Sequence, residues 1–188
     1  NTVVMYHDNV DAYVAEGLAS YLATARVGGV TAKFKTINGV TAANITPTEL
    51  NELHKDNGFS YVRKMGVLQT TEGMTTSGEY IDVVLSSYFI KFRMEEEAMQ
   101  LAINTPKIPY SNEGIAMLVG IADNVLKQAT NQGIILIEEG KARYEINYTT
   151  REEASVVDVA NRVYNGVEWV ATLAGAIHTG QLNGTLKY

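Results

Sequence analysis

The chain has 188 residues, 46% hydrophobic and 19% charged, the composition of a soluble globular protein long enough to bury a core. Fifteen basic against 21 acidic residues leave a net charge of −6, which argues against a phosphate-binding surface and hence against nucleic acid. Zero cysteines exclude disulfides and thiolate chemistry, and no run approaches the roughly 18 apolar residues of a membrane span. The first residues carry neither a basic region nor an apolar signal segment, and Asn1 is not a natural start, so a longer N-terminus is expected.

Thr2 to Tyr6 reads as a short apolar strand that includes Val3 and Val4, followed by an alanine-rich helix from Val10 to Ala25 with Gly17 as its weak point. After a turn at Arg26 to Gly29, the alternation in Val30 to Ile37 predicts a strand closed by the Asn38-Gly39 turn. Thr46-Pro47-Thr48-Glu49 starts a helix, with Thr46 as N-cap, Pro47 at the first position and Glu49 completing a capping box. It carries Leu50 and Leu53 inward and stops at Asn57-Gly58. Phe59 to Leu68 is the next strand, and polar Gln69 to Gly78 a mobile loop.

Ser77 to Tyr110 is the stretch around which the chain is organised. No breaker lies between Gly78 and Pro106, and its first residues alternate, which predicts an extended lead-in to Leu85 and a helix from Ser87 to Asn104. At about 100° per residue, Leu85, Tyr88, Phe92, Met99 and Ile103 share one side, while Ile90, Met94 and Leu101 fall opposite. Two stripes predict a helix gripped from both sides, by two layers of its own domain or by its own domain and another subunit. Pro106 and Pro109 end it.

Ser111 caps a second long helix, Asn112 to Asn131, whose apolar residues from Ile115 to Ala129 keep 3–4 spacing until Gly133. Ile134 to Glu138 and Ala142 to Thr149 form strands around Gly140, Ser155 to Asn161 makes a turn or two of helix, and Val167 to Ile177 and Leu182 to Tyr188 close the chain as strands. In the last of these Leu182, Gly184, Leu186 and Tyr188 face one way. Such a strand needs a partner, either Val167 to Ile177 in a hairpin or another subunit.

Catalytic chemistry finds no foothold. His7, His54 and His178 stand far apart, with no metal-ligand spacing. His7-Asp8 has the residues of a general-base pair, but a strand-end turn with Asp8 capping the next helix accounts for it better. His54 reads as exposed near a helix end. There is no nucleophile elbow, P-loop or dinucleotide fingerprint, and Glu95-Glu96-Glu97 point about 100° apart, as a solvated or subunit-facing patch rather than a metal site.

Four segments are informative together: GGVTAKFKTINGVT (Gly28 to Thr41), GEYIDVV (Gly78 to Val84), KIPYSNEGI (Lys107 to Ile115) and GAIHTGQLNGTLKY (Gly175 to Tyr188). In this order and spacing they resemble the tail sheath proteins of contractile-tailed phages and related prophage particles. The resemblance covers nearly the whole chain but only the C-terminal part of such proteins.

It implies an α/β (α+β) fold, a mixed β-sheet flanked by helices, with residues 1–188 as one sheath-type domain. Terminal arms at about 1–6 and 181–188 would be free for β-augmentation between subunits. It also implies a non-enzymatic virion structural protein without cofactor or metal, assembled in the host cytoplasm. Such subunits form six-fold rings stacked helically around a tail tube, and contraction drives the tube through a cell envelope. The partners implied are the chain itself, the tail tube protein, and baseplate and terminator proteins, with no nucleic acid and no membrane. The candidate interface residues are Leu182, Leu186, Tyr188, Val3, Val4, Ile90 and Met94. The competing expectations are a small-ligand α/β enzyme, which lacks a site, and a monomeric binding module, which needs neither an unpaired terminal strand nor a two-faced helix.

Overall fold

The structure is a computed structural model and describes residues 1–185. It is an α+β fold in which helices accompany one mixed three-stranded sheet and two antiparallel two-stranded ones. The described residues divide into two compact units.

The first unit contains residues 1–21, 31–81 and 175–185. Strand β1 (Met5–Tyr6) pairs parallel with β2 (Phe59–Lys64), which pairs antiparallel with β3 (Val67–Thr70). The expected single strand Phe59 to Leu68 is therefore two, folded at Met65-Gly66, where both residues have positive φ (50° and 82°). A two-residue turn of this hand matches the twist of a hairpin, and Gly66 supplies it at no steric cost. Helix α2 (Pro47–Lys55) carries the full capping box: Thr46 Oγ1 accepts from the Glu49 amide, and Glu49 Oε2 accepts from the Thr46 amide at 2.9 Å. Asn57, in the left-handed region, turns the chain into β2.

Four expectations in this unit are corrected. The helix of Val10 to Ala25 is a 3-10 turn, Val10–Ala12, followed by α1 (Val14–Thr24), because Tyr13 takes a left-handed φ of 49° and interrupts the ladder. Gly17 is not a weak point, since a Cβ there would press into the Ile37 side chain. Val30 to Ile37 is not a strand: Phe34 has a φ of 61°, and the chain instead runs beside Thr70, whose side chain and backbone bond Ala32, Phe34 and Lys35. Gln69 to Gly78 is not a loose loop, for Thr75 is buried and joined to the Glu79 carbonyl and Ser77 hydroxyl. The core gathers Val14, Leu18, Ala32, Ile37, Phe59 and Tyr61. The fully buried Tyr61 hydroxyl accepts from the Ile37 amide and donates to the Ile37 carbonyl, so the ring is buried without stranding a polar group.

The second unit contains residues 22–30 and 82–174. Helix α3 (Ile81–Asn104) starts six residues earlier than expected, so the alternating lead-in Ile81 to Leu85 is helical. Helix α4 (Asn112–Asn131) matches its expected span and buries Ile115, Ala122, Val125, Leu126 and Ala129. Ser111 stands at its N-cap in extended backbone, but its side chain makes no capping bond. The hairpin around Gly140 consists of β4 (Ile137–Glu138) and β5 (Lys141–Ala142), with Ile137 opposite Ala142. Strand β6 (Tyr144–Tyr148) leaves that hairpin and pairs with β7 (Val167–Ala171), Ile146 opposite Trp169. Helix α5 (Val156–Asn161) lies between them in the chain, capped by Ser155. The core joins Ile90 of α3 to Val125, Leu126 and Ala129 of α4 and to Ile134 and Ile135, with Met94, Tyr144, Ile146 and Ala171 packed against it.

Candidate assembly surfaces

Helix α3 has two apolar stripes with different fates. Ile90 is only 4% exposed and Met94 is half-buried in the core of the second unit. Tyr88, Phe92, Met99 and Ile103 are 45%, 60%, 61% and 73% exposed, and the rings of Tyr88 and Phe92 lie 6.1 Å apart. The outward stripe is therefore the one led by Phe92; Ile90 is buried in the core with α4, while half-buried Met94 packs against that core and keeps one side open to two grooves beside β7. Between the stripes Glu97 accepts from Arg93, Asn124 and Gln128, which accounts for a half-buried carboxylate on an otherwise apolar side. Glu96 pairs with Arg93, so the acidic run splits between two tasks.

Strand β7 offers an edge. Thr172 just beyond it donates to the Arg143 carbonyl and accepts from the Leu136 amide, so even-numbered residues turn their backbone groups toward β6. By the alternation of an antiparallel ladder, Val167, Trp169 and Ala171 turn theirs the other way, where no strand pairs among the described residues. The same odd-numbered side chains line two apolar grooves against α3. One of ≈490 Å³ runs past Ile90, Met94, Trp169, Ala171 and Leu173, and one of ≈410 Å³ past Met94, Leu118, Ile121, Val167 and Trp169.

The chain ends differ. The Thr2 carbonyl accepts from Thr76 and that of Val4 from Phe59, so the N-terminal segment is paired within its own unit while the side chains of Val3 and Val4 stay 42% and 45% exposed. Leu182 is fully exposed and residues 181–185 have no regular structure; Leu186 and Tyr188 lie outside the described residues. No hairpin joins these described residues to Val167–Ala171, since β7 pairs with β6.

The histidines stay apart. The His7 side chain is 5% exposed; its Nδ1 accepts from the Asn9 amide, so Nε2 donates to the Thr41 carbonyl at 3.0 Å. With both nitrogens engaged it has none to offer as a base, and Asp8 accepts from the Asn44 amide while Asn9 makes the cap. His54 is half-buried, not exposed, with Nε2 2.9 Å from the Thr71 hydroxyl, and burial pushes its pKa down. His54 and His178 share the lining of a ≈730 Å³ cleft in the first unit with Lys33, Arg63, Lys64 and Glu72. Lys33 and Glu72 form an ion pair at 2.5 Å. Among the described residues no three His, Asp or Glu side chains gather to hold a metal, and no helix is long and apolar enough to cross a membrane.

What sequence reasoning missed was a cluster of Thr31, Phe34, Tyr80 and His178, drawn from three segments distant in sequence. No local pattern announces it.

No protein-family model matches the sequence, and none of the curated proteins does. Solved structures do. A chain of the anti-feeding prophage helical sheath in its contracted state superposes with a TM-score of 0.72 at 13% identity, covering 93% of this chain and 50% of that one. A chain of the sheath complex of an extracellular contractile injection system, PVC, also contracted, gives 0.75 at 12% identity over 98% and 56%. A chain of the sixfold-symmetrised anti-feeding prophage baseplate gives 0.72 at 13% over 92% and 49%. The fold is thus the one seen in contractile sheath assemblies, and the chain spans about half the length of the chains it matches.

Proposed function

We propose that this chain is a structural subunit of a contractile tail sheath and works without catalysis or cofactor. The carrying observation is the fold: 92–98% of the chain follows chains of sheath and baseplate assemblies at TM-scores of 0.72–0.75. In this reading copies polymerise as six-fold rings around a tail tube, the two units act together as one sheath-type domain, and contraction drives the tube through a cell envelope. The partners are other copies, the tube protein, and baseplate and terminator proteins. The place of action is the tail of a phage or related particle, assembled in the host cytoplasm.

The surfaces give that reading a physical form. The open edge of β7 takes a strand from another copy by β-augmentation, and the strand that suits it is Leu182 to Tyr188, whose apolar side would lie over the grooves beside Trp169. The stripe of Tyr88, Phe92, Met99 and Ile103 forms a second contact between copies. The test is negative-stain microscopy of the purified full-length protein over a concentration series. Stacked rings or tubes are expected; a discrete small oligomer at every concentration overturns the assignment.

A further inference from the structure

We infer that His178 is a pin that fastens the C-terminal segment to the first unit, so that the free arm begins at Thr179. Residues 172–177 and 179–185 are exposed, Ile177 at 90% and Leu182 fully. His178 alone among them is set inward. Its Nε2 lies 2.8 Å from the Thr31 hydroxyl. The ring stands edge-on to Tyr80, centroids 4.8 Å apart at 89°, and to Phe34 at 6.4 Å and 81°. Edge-to-face contacts at these distances are attractive.

The socket is built at some cost. Phe34 holds a left-handed φ of 61°, unusual for an aromatic residue, with the Lys33 ammonium 5.2 Å from its ring and paired to Glu72 behind it. Such a conformation persists only where its surroundings hold it in place, and here it presents the ring to His178. The pin is also incomplete: His178 Nδ1 is buried without a hydrogen-bond partner, which offsets part of what Nε2 and the rings contribute. A contact so balanced holds the segment and still releases it under load.

The consequence is reach. Release back to Gly175 adds four residues to the free arm, at most about 13–14 Å when extended. A pinned arm and a released arm would therefore find partners at different separations. This last step rests on the sheath reading; the pin itself does not.

Hydrogen exchange on the isolated full-length protein separates the two. In the wild type, amides of residues 176–179 should exchange more slowly than those of 182–185. His178→Ala and Thr31→Val should each raise exchange at 176–179 by about tenfold or more, the loss of roughly one hydrogen bond, with exchange in β2 unchanged. Equal exchange across 176–185 in the wild type, or no change in either variant, overturns the pin whatever the protein assembles into. If His178→Ala also raises exchange in β2, or Thr31→Val acts only through global unfolding seen as a matching rise in β2, the role is packing rather than pinning and the inference fails.

Discussion

Two glycines of α4 should answer an alanine substitution in opposite senses. At Gly114 an added Cβ would collide with the Pro109 carbonyl oxygen, an unyielding backbone atom where the chain comes back over the first turn of the helix. At Gly120 nothing lies near. Gly114→Ala should destabilise by about 1–3 kcal/mol or more through overpacking, while Gly120→Ala should be neutral or stabilising by about 0.5–1 kcal/mol. Urea unfolding of both variants checks the pair. At His54 the prediction concerns pH. Burial first, then Lys33 and Lys64, hold its pKa below the usual histidine value, while Glu72 opposes them. The unfolded chain therefore takes up this proton more readily than the folded one, so the contribution to stability is complete above pH 6.5 and is lost as pH falls through the folded value. The carboxyls of Asp8 and Asp123 are held low by the Asn44 amide and by Lys127 respectively, so they titrate in a more acidic window and do not mask it. Thermal melts from pH 7.5 down to 5 should show a falling Tm that is flatter in His54→Gln.

At the scale of elements, α3 decides how the chain presents itself. Ile90→Ala should cost about 2–5 kcal/mol as a core truncation. Phe92→Ala should stay within about 0.5 kcal/mol in the isolated chain, as an exposed position does, and yet impair assembly if its stripe is a subunit contact. Chemical denaturation read beside microscopy of the same two variants tests this, and a large stability loss at Phe92 would mean that its exposure is misjudged. The two stripes were legible in the sequence, but their fates were not. Both recur at helical spacing, and what distinguishes them is α4, which reaches Ile90 from a distant part of the chain. Where the determinant was local, the sequence was readable: the Thr46–Glu49 capping box, the span of α4 and the turn at Glu139-Gly140 all follow from neighbours. Where a tertiary contact overrode local pattern, it was not. Val30 to Ile37 alternates like a strand, yet Thr70 Oγ1 bonds the Ala32 carbonyl and Lys35 amide and holds Phe34 in a turn. The Met65 turn escaped for a related reason, since a non-glycine residue at φ 50° carries no signal of its own.

For the whole molecule the contrast between the two chain ends carries the argument. The N-terminal segment is joined to its own sheet through Thr2, Val4 and β1, so removing it should unfold part of the first unit. The C-terminal segment past His178 has no comparable tie among the described residues, and its exposed Leu182 gains nothing from the isolated chain. Docked as a strand on another copy, it would form about five backbone hydrogen bonds worth about 0.5–1.5 kcal/mol each, with about 1.5–3 kcal/mol for each leucine fully buried. One such link is modest, but a helical lattice repeats it in every subunit. In the proposed sheath, links that persist through a change of lattice would supply no work of contraction, which would fall to other surfaces such as the stripe led by Phe92. Deleting residues 179–188 keeps the His178 pin and every described core residue, so circular dichroism should give a Tm within about 2 °C of the full chain, a shift worth at most about 0.5–1 kcal/mol. Microscopy of that sample should show rings or tubes lost. A deletion variant that melts far lower would place the segment in the chain's own core, and one that still forms regular tubes would remove it from the set of assembly contacts.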